Sequence, residues 1–175
     1  MKKYLCRIIY EIIAIHLPKS NIKYIGKYFK IIRVFLAKNY IKYSGKNINI
    51  QKGAIFGPSL SIGDKSMVGI NCVLGDKVEI GSNVMMGPQC YIYTRNHKHN
   101  KTDVPMIEQG YEEEKHVIIG NDVWIGSRVT ILPGIHIGNG VIIGASSVVT
   151  HDIPDYVIAA GNPAKIVKKR IAYNL

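Results

Sequence analysis

From Ile50 onward a large apolar residue returns at every sixth position: at 50, 56, 62, 68, 74, 80, 86 and 92, and again at 119, 125, 131, 137, 143 and 149. The following position is Gly at 57, 63, 69, 75, 81, 87, 120, 126, 138 and 144, so ten of the 17 glycines fill one slot. Three residues beyond that slot comes a second inward position, mostly small or β-branched. It holds Ala54, Leu60, Ser66, Cys72, Val78, Val84 and Cys90, then Val123, Val129, Ile135, Val141, Ser147 and Ile153. A six-residue period held over so long a stretch predicts a parallel β-helix. Each hexapeptide supplies a short strand with one large residue pointing inward, and each coil pairs with the next about 4.8 Å away. The slot Gly is expected to take a turn conformation that a side chain would disfavour. Thirteen or fourteen repeats at three per coil make between four and five coils, roughly 20–25 Å of prism at that spacing.

The separation of positions 92 and 119 is not a multiple of six, so the stretch "YTRNHKHNKTDVPMIEQGYEEEKH" is an insertion and not a degenerate repeat. It is polar and charged and carries His97, His99 and His116, three of the six histidines. Residues 1–43 break the period and read as helical. Ser20 is the expected cap of a helix with an apolar face of Ile25, Tyr28, Phe29, Ile32, Phe35 and Leu36, the lysines mostly opposite. After the last coil, "GNPAKIVKK" combines a Gly-Asn-Pro stop with a basic tail expected to be helical. The organisation predicted is therefore an extension over 1–43, a β-helix over 44–158 with an insertion at 93–117, and a tail over 159–175.

Charge changes the picture at one end only. The chain has a formal charge of +11. Residues 1–46 hold eleven Lys/Arg against the single acid Glu11, a net of +10, and everything after them holds twelve against eleven, a net of +1. A basic face for nucleic acid is not expected, because the body is nearly neutral. The basic amphipathic extension points instead to capping of the prism, or to peripheral contact with the inner face of the cytoplasmic membrane, and away from the active site. "LCRIIYEIIAIHL" (5–17) is too short to cross a bilayer, and no small-x-small cleavage site follows it, so a cytoplasmic protein is expected. Cys6, Cys72 and Cys90 have no metal-site spacing. Cys72 and Cys90 are one full coil apart, three hexapeptides, and are read as stacked free thiols.

The hexapeptides, together with "IGNDVWIGSRVTILPGIHIGNGVIIGASSVVTHDIP" and "AAGNPAKIVKK", resemble the hexapeptide-repeat acyltransferases. Within that family they are most similar to the galactoside, maltose and capsular polysaccharide O-acetyltransferases. The resemblance covers roughly residues 44–170 and implies a left-handed β-helix, a homotrimer, and acetyl-CoA bound between subunits. It implies an acetyl-CoA-dependent O-acetyltransferase of a sugar hydroxyl in a surface or capsular polysaccharide or its precursor, with no metal required. An N-acetyltransferase of an amino sugar and a non-catalytic scaffold are the alternatives. The element "TRNH" assigns the general base to His97, with His99 as its rival. A sugar hydroxyl needs such a base to attack a thioester near neutral pH, and imidazole can supply it.

By the same matching a backbone N–H at the Gly126–Ser127 turn would hold the oxyanion. Ser127, Ala145, Thr150 and His151 would line the donor groove, with Lys165 and Lys168 on its phosphates or simply solvated. Trp124 is assigned near the thioester or to packing. Asn71 is assigned to the acceptor or to a buried turn. A zinc site of the γ-carbonic anhydrase kind is not expected, because no two histidines have H-x4-H spacing.

Overall fold

The computed structural model describes residues 2–170. Between Tyr43 and Ala160 every strand is two to four residues long, and the strands fall on three faces, one hexapeptide to a face. The first face stacks Tyr43–Ser44, Ser61–Ile62, Val78–Ile80, Val117–Ile119 and His136–Ile137. The second stacks Asn49–Ile50, Met67–Val68, Met85–Met86, Trp124–Ile125, Ile142–Ile143 and Val157–Ala160; the Met67 N–H joins its two pieces by donating to Val84 O at 2.9 Å. The third stacks Val73–Leu74, Tyr91–Ile92, Thr130–Ile131 and Val148–Val149. All these pairings are parallel.

Register confirms the period. Tyr43 pairs with Ser61 and Ser61 with Glu79, each a step of three hexapeptides. One coil alone is longer, where Glu79 pairs with Ile118, Met85 with Trp124 and Tyr91 with Thr130. The additional residues of that coil leave the wall between the third face and the first. All fourteen large slots and all thirteen smaller ones are buried. The two serines among them are satisfied. Ser66 Oγ donates to Gly81 O (2.6 Å) and accepts from Val84 N–H (3.0 Å), and Ser147 Oγ donates to Gly144 O (2.7 Å) and accepts from Gly161 N–H (3.1 Å). Cys72 and Cys90 stack one coil apart as buried free thiols, with Cys90 N–H 3.4 Å from Cys72 Sγ.

The slot glycines serve a purpose other than the expected one. None of the ten has a left-handed φ. That conformation falls two residues later, at Lys65, Asn71, Asn83, Gln89, Asp122, Arg128 and Ser146, with φ between 53° and 61°. The glycines instead let consecutive corners touch. A Cβ on Gly81 would lie 2.6 Å from Gly120 O, and one on Gly126 would lie 2.6 Å from Ala145 N.

Both ends of the prism are covered. At the start, α1 (Lys2–Ile12) and α2 (Gly26–Lys38) pack together over the first coil. Tyr10 is buried beside Tyr40 and Phe56 and donates to Ala54 O at 2.7 Å. Burial pushes the Tyr10 and Tyr40 phenols well above their ordinary pKa. In α2 the buried side is centred on Arg33, not on the expected apolar face. Arg33 Nε donates to Ile50 O, Nη1 to Leu17 O and Pro18 O, and Nη2 to Ser20 Oγ, all within 2.7–3.0 Å. Ile25, Tyr28, Ile32 and Phe35 are left exposed. Ser20 therefore serves Arg33, and α2 begins after Ile25 with no side-chain cap. A guanidinium suits this position because its planar fork of N–H donors reaches several carbonyls at once at the open end of the coil.

At the other end the expected C-terminal helix is replaced by a strand over the described residues. Lys165–Lys169 runs antiparallel to Val157–Ala160 after a turn at Gly161. The edge of the last coil offers unpaired backbone groups, and pairing them outweighs the tail's weak helical preference. Residues 171–175 of the predicted tail lie outside the described residues.

Candidate active site

The residues that leave the wall form a hairpin-like arm. Lys115 N–H donates to Thr94 O (2.7 Å), Glu112 N–H to Asn96 O (2.9 Å) and Lys98 N–H to Gly110 O (3.0 Å). At its tip Gln109 holds both sides: its amide donates to Lys101 O and Val104 O and accepts from Lys101 N–H. The root is fixed by Thr94, buried against the space left by Gly75, where an added Cβ would collide with the threonine. Non-repeating sequence thus becomes a defined projection, because its own backbone groups pair.

The arm puts His97 opposite Tyr111, with ring centroids 4.1 Å apart and planes inclined by 36°. The Arg95 guanidinium lies 4.3 Å from the centre of the same Tyr111 ring. These stacking contacts orient the imidazole. A cleft of about 520 Å³ opens beside it, with charged walls: Asp76, Arg95 and Glu114 from the prism and arm, and Arg7 and Glu11 from α1. Arg7 Nε donates to Glu11 Oε1 at 2.7 Å, and that hydrogen bond raises the Arg7 pKa. Asp76 accepts from the Ser59 N–H and Oγ, each at 3.0 Å. His99 does not line the cleft; its Nδ1 sits 3.2 Å from His97 O.

One sequence expectation needs correction here. The N-terminal extension does reach this cleft, through Arg7 and Glu11. The largely exposed segment "YEEEK" contributes Tyr111 and Glu114 to it. Glu11 was the available signal: the one acid in a strongly basic stretch, four residues after Arg7.

The remaining expected residues lie elsewhere on the prism. Gly126, Ser127 and Ala145 stack along the edge between the second and third faces, and Asn71 turns the same edge lower down. Trp124 precedes them on the second face and is half exposed. Asn71 is neither buried nor part of the His97 cleft; it is exposed, at φ 53°. Thr150 and His151 lie at the other edge of the third face, with Thr150 Oγ1 2.8 Å from His151 Nδ1. Lys165 and Lys168 are exposed on the final antiparallel strand, paired with Ala160 and Ile158. Within one chain, none of these residues lines the cleft of His97.

The sequence profile of the bacterial transferase hexapeptide family (six repeats) matches residues 59–94 and 116–151, and breaks where the arm begins. The fold is similar to that of a maltose O-acetyltransferase from Clostridium difficile 630, with TM-score 0.77 and 32% identity over 98% of this chain and 87% of that one. A galactoside acetyltransferase solved in complex with coenzyme A gives TM-score 0.80 at 28% identity, covering 99% of this chain and 85% of that one. A chloramphenicol acetyltransferase from Klebsiella aerogenes is 52% identical over 60 residues, 34% of this chain and 29% of that protein. The chain spans 29–40% of the lengths of the curated relatives it matches. The protein belongs to the hexapeptide-repeat acyltransferase family.

Proposed function

We propose that this protein is an acetyl-CoA-dependent O-acetyltransferase of a sugar hydroxyl, in a surface or capsular polysaccharide or its precursor. On this reading it works in the cytoplasm as a homotrimer of left-handed β-helices. The observation that carries the reading is the separation of two half-sites. His97 hangs from the edge between the third and first faces, whereas Gly126, Ser127 and Ala145 line the edge between the second and third. Half-sites on different edges of a three-sided prism can meet when prisms pack side by side about a threefold axis. A coenzyme A complex of a relative at 28% identity supports the donor.

In this mechanism His97 takes the proton of the acceptor hydroxyl as its oxygen attacks the thioester carbonyl carbon. A C–O bond forms and the carbonyl electron pair moves onto oxygen. Gly126 N–H is committed to Ile143 O at 2.8 Å, while among the described residues Ser127 N–H has no acceptor. The Ser127 amide is therefore the oxyanion donor we assign. Collapse breaks the C–S bond, and the imidazolium returns its proton to the leaving thiolate. Ala145, Thr150 and His151 would flank the donor, Lys165 and Lys168 would meet its phosphates, and Trp124 and Asn71 would lie toward the reacting groups. The charged cleft offers several hydrogen-bond donors and acceptors to a polyhydroxylated acceptor.

The test is thiol release from acetyl-CoA with oligosaccharides, nucleotide sugars, isolated surface polysaccharides, amino sugars and chloramphenicol. A hydroxylamine-sensitive ester on a saccharide is expected. An amide product would move the reading to N-acetylation, an ester on chloramphenicol alone would replace the acceptor, and no release with any acceptor would overturn the transferase reading.

A further inference from the structure

The N-terminal helices bury one side each against the same coil, and what they leave outside is unusually apolar. In α1 the buried residues are Cys6 and Tyr10. On the opposite side Tyr4, Leu5, Ile8 and Ile12 are 51–76% exposed. In α2 the buried side is Gly26, Arg33, Leu36 and Ala37. Opposite it, Tyr28, Ile31, Ile32 and Phe35 are 43–60% exposed. The positions recur at helical spacing, so each set forms a stripe and not scattered residues. Tyr10 is tied to Ala54 O and Arg33 to Ile50 O, which fixes both helices on the same end of the prism. Both stripes therefore look outward from that end. A contiguous exposed apolar surface of this kind marks an interaction site.

Charge selects the partner. Lys27 and Lys38 flank the α2 stripe and Lys2 flanks that of α1, all three exposed. The single carboxylate of residues 1–46, Glu11, is already paired with Arg7 at 2.7 Å. The rest of the chain is close to neutral. Apolar stripes flanked by lysines, with their one acid already paired, match a surface that is apolar below and anionic at its rim. No helix among the described residues is long and apolar enough to cross a membrane.

We propose that the outer face of α1 and α2 docks in the plane of an anionic phospholipid bilayer, with Ile8, Ile31 and Phe35 entering the acyl boundary and the lysines contacting headgroup phosphates. Because α1 also walls the His97 cleft through Arg7 and Glu11, docking brings that cleft to the membrane surface. The cleft would then meet acceptors displayed there. The docking itself does not depend on which acceptor is used.

The test is co-sedimentation of the full chain with vesicles of phosphatidylcholine alone or with about 40% phosphatidylglycerol, which gives a strongly negative surface. Binding to the anionic vesicles is expected to be at least about 10-fold tighter and to weaken with salt. Lys27→Glu with Lys38→Glu should lower it about 10-fold or more, and Ile31→Ser with Phe35→Ser by a similar factor, without loss of thermal stability, since all four residues are exposed. No binding to anionic vesicles, or binding that survives both double substitutions, would overturn the proposal. So would self-association through this face, seen as a larger species in sedimentation velocity that Phe35→Ser disperses. Thiol release with a soluble acceptor, measured without vesicles, reports on the transferase reading separately.

Discussion

Ile92, the last inward residue before the arm, and His97, five residues later, are held by different physics. Ile92 is buried among equivalents from the coils on either side, and any apolar residue of similar shape in that slot would satisfy the wall. His97 is exposed and has no equivalent in another coil. It is oriented by one ring, Tyr111, on one hairpin-like arm. The wall is redundant and distributes its stability over many similar contacts, as stacked repeats do. The arm is singular, so its chemistry rests on few residues. Changes in the wall should register as stability, and changes in the arm as turnover.

The largest expected effect tests the singular side. His97→Ala should lower turnover by roughly 100-fold or more while leaving acetyl-CoA affinity nearly unchanged, because His97 is not among the residues proposed to hold the donor. His99→Ala should cost far less. If steady-state kinetics and donor titration show the two histidines exchanged in importance, the assignment within the arm is wrong.

On the redundant side, Gly81→Ala should destabilise the fold by about 1–3 kcal/mol, because its Cβ would press on the backbone of the next coil. Gly110→Ala meets nothing within 4 Å and is strained only by its φ of 76°, so about 1 kcal/mol is expected there. Chemical denaturation of the two variants separates corner contact from backbone conformation. Equal losses would mean that stacking at the corners is not what the slot glycines provide.

Tyr111→Leu should reduce turnover by about 3–10-fold, the worth of an aromatic contact that orients a ring. A positioning role predicts that kcat falls while KM for the donor holds and the pH profile keeps its shape. A fall in thermal stability that accounts for the whole loss would contradict it.

The smallest effect concerns the cap. Tyr10 is neutral and buried, and its folded pKa is raised above the roughly 10 of an unfolded tyrosine. The sign follows: its contribution is complete below about pH 10 and is lost as pH rises toward the folded value. Tyr10→Phe should cost about 1 kcal/mol near neutral pH through the lost bond to Ala54 O. It should also flatten the decline in stability above pH 10, measurable by denaturation from pH 8 to 11. An unchanged alkaline slope would assign that decline to other groups, with Tyr40 the first to examine.

Much of this molecule was legible without coordinates. A period of six fixes which residues face inward, because a coil of three short strands returns every side chain to the same wall after three hexapeptides. The inward slots on either side of the arm could therefore be named, as could the arm itself, although Val117, counted into the arm at 93–117, is an inward wall residue paired with Val78. The class of fold follows from the same repetition, and the family from the resemblance of the motifs that surround it. Local pattern could not decide contacts made once. The reason for the slot glycines lies in the corner of the neighbouring coil, distant along the chain, and not in their own φ. The buried side of α2 was set by Arg33, because the open end of the first coil offers carbonyls that need donors, and helical periodicity does not register that demand. The tail became a strand because the last coil had an edge to pair. Arg7, Glu11 and Tyr111 meet at the His97 cleft only because α1 is pinned to the prism end beside the root of the arm. Repetition is written along the sequence, whereas capping and the assembly of a cleft depend on surfaces that exist only once the coils have stacked.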